Sequence, residues 1–261
     1  MKHHDLALER YLESVVDDPA TLAVIVVGSF ARGTDREDSD IDLYLVVDDE
    51  RFAAAVERNE VAWVEREGLD YPGSYIDIKL TSPGYLRTAV LSGDDPTRAS
   101  FAGARVVFTR EDGLEHLVAS MGTVPEEQWE RRMQSYLAQA RIYGAYFLVG
   151  AIEKGDAFLI RHASIHLATA AARAVLVANR TLLRGPKYLT ETVRALPDKP
   201  EGFLAAWDAV VDAPTVENAA TLIALLDAWT PWPLAEADTL STFILDNELA
   251  WLNGTLPAEY F

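Results

Sequence analysis

Asp40 and Asp42 alternate with Ile41 and Leu43 at the start of an apolar run that ends at Val47. Strand side chains alternate faces, so both acids project from one side while Ile41 and Leu43 pack toward a core. Two carboxylates on one face repel each other unless a cation lies between them. Hard divalent ions such as Mg²⁺ take carboxylate oxygens and keep room for substrate phosphates. Upstream, Val27-Gly28-Ser29-Phe30-Ala31-Arg32-Gly33 closes a second apolar run that begins at Leu22. Gly28 lets the backbone approach a ligand closely, and Ser29 stands where a helix would begin, its hydroxyl and the nearby N–H groups suited to phosphate oxygens. Asp77 lies in a third alternating run, Tyr75 to Leu80, with Ile76 and Ile78 on the opposite face. If these strands are neighbours, three carboxylates share one site. With two metal ions, such a set stabilises the attacking and leaving oxygens of an in-line phosphoryl displacement. Lys79, one pleat further on the same face, either contacts phosphate or pairs with Asp77.

An isolated Asp-x-Asp on a strand is most often a solvated edge. Here it follows a strand, a Gly-Ser turn and a fixed spacing, and this wording resembles the signature of the DNA polymerase β-type nucleotidyltransferase superfamily. Gly28 to Gly33 and Ser39 to Asp42 read as in its minimal and antibiotic-modifying branches. The resemblance is specific over residues 22–47 and looser over 48–120. It implies a small mixed sheet flanked by helices, Mg²⁺, and transfer of a nucleoside monophosphate from ATP or another nucleoside triphosphate with loss of pyrophosphate. It implies that Asp40 and Asp42 bind metal, that Asp77 binds metal or acts as base, and that Gly28, Ser29, Arg32 and Ser39 lie on the nucleotide side. Similar families carry a lysine near a break in the helical half that reaches the triphosphate. Lys187, after Gly185-Pro186, occupies such a place, and a solvated helix-entry lysine is the alternative.

Positioning falls to an α/β unit with strands at 22–27, 40–47, 75–80 and 105–108, helices at 50–67 and 83–91, and turn residues at 69–74. Beyond Pro125 helical periodicity takes over, with helices at 126–153, 156–180, 187–195, 201–211, 215–229 and 238–252. The expected fold is α+β: a small mixed-sheet catalytic domain over residues 1–120 and an all-helical bundle over 121–261. By the resemblance, the helical domain binds the acceptor in a cleft between the halves. Glu127, Glu130 and Glu153, with Glu126 and Asp156, are candidates for the acceptor wall. They would suit an aminoglycoside-like polycation whose hydroxyl is positioned for attack. Ordinary exposed helix positions are the alternative. Aromatic residues of the helical half have the spacing of core packing, with stacking of a base or sugar by Tyr143 or Trp207 as the alternative.

Composition narrows the partners. The 261 residues carry 23 basic and 41 acidic side chains, a net charge of −18, which disfavours a long nucleic acid as the main ligand. Charge that merely maintains solubility is the plain alternative. With no cysteine, a disulfide scaffold and a thiol nucleophile are excluded. No apolar h-region opens the chain, and Arg173 and Arg180 interrupt its most apolar stretch, so the expectation is a cytoplasmic protein without a membrane span. A homodimer is compatible with the 251–261 tail, which packs either at an interface or on its own core. Arg161 and His166 match the Arg-x4-His pattern of HEPN-type ribonuclease domains, but five residues apart on one helix they are rotated by roughly 140°. His162 and His166 share a face without an evident third metal ligand, and His3, His4 and His116 have no partner visible in sequence. Two further readings stay open: a nucleotidyltransferase-type antitoxin acting on a protein target, and a nucleotide sensor without turnover.

Overall fold

A computed structural model describes residues 2–66, 69, 71 and 74–258, and the chain divides into two compact units, 1–123 and 124–261. The first runs α1 (Lys2–Val15), β1 (Thr21–Val27), α2 (Gly28–Arg32), β2 (Ile41–Val47), α3 (Asp49–Arg58), β3 (Ala62–Glu65), β4 (Ile76–Thr81), α4 (Pro83–Ser92), α5 (Asp95–Phe101), β5 (Arg105–Thr109) and α6 (Leu114–Ser120). Its strands form one sheet in the order β3-β4-β2-β1-β5. Only the β2–β4 pair is parallel, so the sheet is mixed, as the resemblance implies.

Both faces of this sheet are covered, which explains why β1 is a nearly continuous apolar run rather than an alternating one. On one face Val24, Val26, Ile41, Leu43, Ile76 and Ile78 pack with Ala7, Leu8 and Tyr11 of α1 and Ala55 of α3. On the other, Ala23, Ile25, Val27 and Val46 pack with Leu86 of α4, Phe101 of α5 and Leu114 and Val118 of α6. The helix expected over 50–67 stops at Arg58, where Asn59 adopts left-handed backbone at φ 57° and caps it. Val61 and Val64 fit a helical spacing with Phe52 and Val56, but they serve an edge strand instead. The Val61 carbonyl accepts from the Leu80 N–H at 2.8 Å, and β3 lies antiparallel to β4 with mostly exposed side chains. Much of the expected 69–74 turn and the end of the 251–261 tail lie outside the described residues.

One buried cation ties the second face together. Arg98 of α5 is 2% exposed. It donates to the carbonyls of Gly93 and Val90 at 2.8 Å each and to those of Met121 and Thr123 at 3.3 Å each. The first two are carbonyls at or just past the end of α4, where a helix leaves its acceptors unpaired. The other two belong to the chain that leaves α6.

The second unit is all helical: α7 (Glu126–Ile142), a π turn (Tyr143–Phe147), α8 (Leu148–Lys154), α9 (Ala157–Ala178), α10 (Pro186–Ala195), α11 (Phe203–Asp212), α12 (Val216–Trp229) and α13 (Thr239–Asp246). The single helix expected over 126–153 is thus α7 and α8 joined through the π turn. α9 is the hub: Asp156 caps it by accepting from the Phe158 and Leu159 N–H groups, and Ala163 to Val177 are mostly buried. Trp207 is core, its indole N–H donating to the Ala168 carbonyl at 2.8 Å. No helix among the described residues is long and apolar enough to cross a membrane.

Candidate active site

The parallel pairing of β2 and β4 sets Ile41 opposite Ile76 and Asp42 opposite Asp77. Directly opposed residues point to the same face, so these two carboxylates stand side by side while the isoleucines are buried beneath them. On the other flank of β2, Asp42 pairs with Val27, the last residue of β1, and Gly28 follows at once. Gly28 has φ +73°, and a Cβ placed there would collide with Asp42 Oδ2. Glycine is therefore required twice at this position, for its left-handed backbone and for the carboxylate lying over it. Gly28→Ala is expected to destabilise the fold by about 1–2 kcal/mol and, by pushing Asp42 aside, to lower turnover about a hundredfold. Thermal melts and initial rates measured on the same preparation check both parts.

Asp40 immediately precedes β2, and the Tyr75 hydroxyl donates a hydrogen bond to it. That bond, with burial and the charges of Asp40, Asp42 and Asp77, pushes the Tyr75 phenol up to about 12. Tyr75 thus stays protonated and marks the point on which all three acids act. Lys79 places Nζ 2.8 Å from Asp77 Oδ2 and 3.9 Å from Asp42 Oδ1. Burial pulls its pKa down, but the hydrogen bond to Asp77 and the charges of Asp77 and Asp42 outweigh this and hold it above the ordinary value. Of the two contacts the sequence offered for Lys79, the pairing with Asp77 is the one present.

The structure brings Gly28, Asp40, Asp42 and Asp77 together at one end of the inner strands β4, β2 and β1. Ser29 and the half-buried Arg32 lie in α2, where the Ser29 carbonyl accepts from the Thr34 N–H at 3.0 Å. Ser39 closes the turn before Asp40, its hydroxyl accepting from the Arg36 N–H at 2.9 Å. Lys187, Glu127, Glu130 and Glu153 are exposed residues of the second unit, on α10, α7 and α8, and the Lys187 ammonium lies 4.8 Å from the Tyr188 ring centre. Arg161 is exposed and donates to the Ala157 carbonyl one turn back. His166 stacks on Tyr143 at 4.5 Å and lies 4.3 Å from His162. Sequence reasoning missed two residues. Tyr75 carried a signal, since it stands two residues before Asp77 and so shares its face. His4 carried none, because its partners are more than 30 residues away.

The donor chemistry suits a hard divalent ion: the grouped ligands are carboxylate oxygens, and the one cation among them, Lys79, is already held by two of the three. Among the described residues no group of three or more His, Asp or Glu side chains is arranged to hold a metal ion between them. Such a set would hold Mg²⁺ through one or two carboxylates, the remaining positions falling to water and substrate phosphates.

A glycine turn thus stands at a strand end, beside paired acids level with a third on a parallel neighbour. Residues 8–89 match the family model of the nucleotidyltransferase domain. The first unit therefore carries a nucleotidyltransferase domain of the DNA polymerase β-type superfamily over those residues, which supports nucleotidyl transfer in general. The crystal structure of a nucleotidyltransferase-like protein from Exiguobacterium sibiricum is similar with a TM-score of 0.53 and 14% identity, covering 95% of this chain and 80% of that one. At that identity the likeness concerns the fold. A search of curated proteins finds no match.

Proposed function

We propose that this protein transfers a nucleoside monophosphate, from ATP or another nucleoside triphosphate with Mg²⁺, to a hydroxyl of a small molecule. The observation that carries the reading is the placement of Asp42 over Gly28 and level with Asp77. In the transfer, the acceptor oxygen bonds to the α-phosphorus, the bond from that phosphorus to the bridging oxygen breaks, and pyrophosphate leaves. The hydroxyl proton passes to a carboxylate, for which Asp77 is the candidate unless it is committed to the metal. Asp40 and Asp42 would hold Mg²⁺, which when bound offsets the charge gathering on the phosphate oxygens. Tyr75 fixes the orientation of Asp40 and stays a donor. Lys79 pairs with Asp77 and balances the charge of the acids. The Gly28–Gly33 turn, with Ser29, Arg32 and Ser39, is the nucleotide side.

The acceptor class follows from charge. A protein of net charge −18 attracts cations, and Glu127, Glu130 and Glu153 are exposed on the helical unit. An aminoglycoside-like polycation is the acceptor this balance favours. The test is Mg²⁺-dependent pyrophosphate release from ATP, GTP, CTP and UTP against a panel of aminoglycosides, lincosamides and total cell protein. Release that needs one small acceptor, and is lost in the Asp40→Asn/Asp42→Asn double variant, is the expected result. Triphosphate binding without release for any acceptor would instead make the protein a sensor, and release only with cell protein would make its target a protein.

A further inference from the structure

The layer of helices over the sheet is incomplete beside β3. Directly opposed residues point to one face, so Trp63, paired with Ile78, turns to the side that α1 and α3 cover. It nevertheless stays 40% exposed. A cavity of about 450 Å³ opens beside it, within the about 300–1,000 Å³ that small-molecule sites span. Leu45 and Leu80, paired across the β2–β4 ladder, line it from the sheet, and Tyr11 and Val15 line it from α1. Arg51, Ala55 and Arg58 line it from α3, where spacings of four and three put them on one helix face. The Leu45–Leu80 pair stands three residues along the ladder from Asp42–Asp77, an odd step that sets it on the opposite face. The cavity is therefore separate from the acid cluster, with the sheet between them.

Its wall divides by chemistry. Leu45, Leu80, Val15 and Ala55 are apolar, and the Trp63 indole offers a flat ring a face to stack on. Ala55 is the small residue in the middle of the α3 face, and its size leaves the space that a leucine would take. Arg51 and Arg58 are far more exposed than the two leucines, so they stand at the mouth. The charges around that mouth are matched. Arg51 donates to Asp18 at 3.0 Å, Arg58 donates to Glu60 at 2.7 Å, and the Glu65 carboxylate accepts from the Arg66 N–H at 2.7 Å. An uncharged ligand leaves these pairs in place, whereas a phosphate would bring negative charge beside three carboxylates in a chain of net charge −18. A guanidinium carries five N–H donors, and Arg51 and Arg58 each commit one to their acids. Donors remain for acceptor atoms on a ligand, and the carboxylate oxygens remain as acceptors for its N–H groups.

We propose that this cavity is a binding site for an uncharged, flat heterocycle whose edge carries both donors and acceptors, of which a nucleobase, free or as its nucleoside, is the chemical case. The ring stacks on Trp63 and slides over Leu45, Leu80 and Ala55, and its polar edge meets the two arginine–acid pairs at the mouth. Stacking supplies the affinity, because the indole is the one large aromatic face that the cavity leaves open. The matched charges supply the preference for a base over its phosphate esters. The site stands whatever reaction the acids on the other face perform.

Calorimetric titration of the full chain without metal ion tests it, with adenine, uracil, adenosine, uridine, AMP and indole as probes. Bases and nucleosides are expected to bind, and AMP more weakly than adenosine. Indole has the ring but no acceptor edge, and is expected to bind about tenfold more weakly than the bases. Trp63→Ala is expected to weaken the bases about tenfold, and Ala55→Leu to abolish their binding by filling the gap. Asp42→Asn is expected to bind them as the wild type does. Should Ala55→Leu melt too early to be titrated, Trp63→Ala decides alone. A free base as tight as its nucleoside makes the ring the whole ligand, and a tighter nucleoside extends the site to the ribose. The proposal is overturned if no base or nucleoside binds, if indole binds as tightly as the bases, or if AMP matches adenosine. It is overturned equally if binding survives Trp63→Ala and is lost in Asp42→Asn, which would place the base at the acid cluster. None of these titrations needs turnover, so absent pyrophosphate release counts against the functional reading alone.

Discussion

Asn at position 42 is expected to lower turnover about a thousandfold, the scale of losing one preorganised group that stabilises charge at the reacting phosphate. The substitution keeps size and shape, so β2 still forms between β1 and β4. What changes is charge, because Asp42 is the one acid that touches both the glycine turn and the neighbourhood of Asp77. Lys79 is bound more closely by Asp77, at 2.8 Å, than by Asp42, at 3.9 Å, so the variant keeps its main ion pair. Its melting temperature without metal should match wild type, since removing one of three neighbouring acids also relieves repulsion. The upward thermal shift that Mg²⁺ and ATP give the wild type should disappear, because a ligand stabilises only the state it binds. A normal melt with lost turnover and lost shift locates the defect in the site. A retained shift with lost turnover would move metal binding away from Asp42.

Arg98→Met is the second large effect, and it concerns folding. Methionine fills the volume but leaves the carbonyls of Val90, Gly93, Met121 and Thr123 without the guanidinium donors they share. Losing several bonds to one buried charge is expected to cost about 3–5 kcal/mol. The melting temperature should fall by on the order of 10 °C. Arg98→Lys keeps the charge, but an ammonium cannot spread over four carbonyls, so it should recover only part of the loss. Because Arg98 lies outside the acid cluster, the variant that remains folded at low temperature should show near-normal KM for ATP. A denaturant titration read beside that KM separates scaffold from site.

The acid cluster was legible because its geometry is local or nearly so. Period-2 alternation sets Asp40 and Asp42 apart from Ile41 and Leu43, and a glycine before a serine marks a turn where backbone and ligand approach. Asp77 needed only the assumption that its strand neighbours β2. The β3 strand was not legible, because Val61 and Val64 keep a helical spacing and what ends α3 is the left-handed backbone of Asn59, which many asparagines never adopt. α1 carries a helical stripe in Ala7, Leu8, Tyr11, Leu12 and Val15, although the expected elements begin only at Leu22. The π turn at Tyr143 leaves no mark in the apolar pattern, since five residues in a wider turn shift the stripe without interrupting it. His4 is the extreme case: its contacts, the Ser39 carbonyl and the Asp35 carboxylate, are delivered only by the tertiary fold.

The ladder between β2 and β4 sets the level of Asp42 and Asp77, and the last residue of the chain linking these strands extends it, the Tyr75 carbonyl accepting from the Ile41 N–H at 3.1 Å. The connection begins at α3, ends its first helix at the exposed Asn59 and adds β3 as an outer strand. The far part of this detour, around Asn59, lies apart from the ladder that spaces the acids. Extra residues inserted after Asn59 would lengthen the detour without changing the distance between the acids, so the loop is free to acquire new contacts while the reaction centre keeps its dimensions.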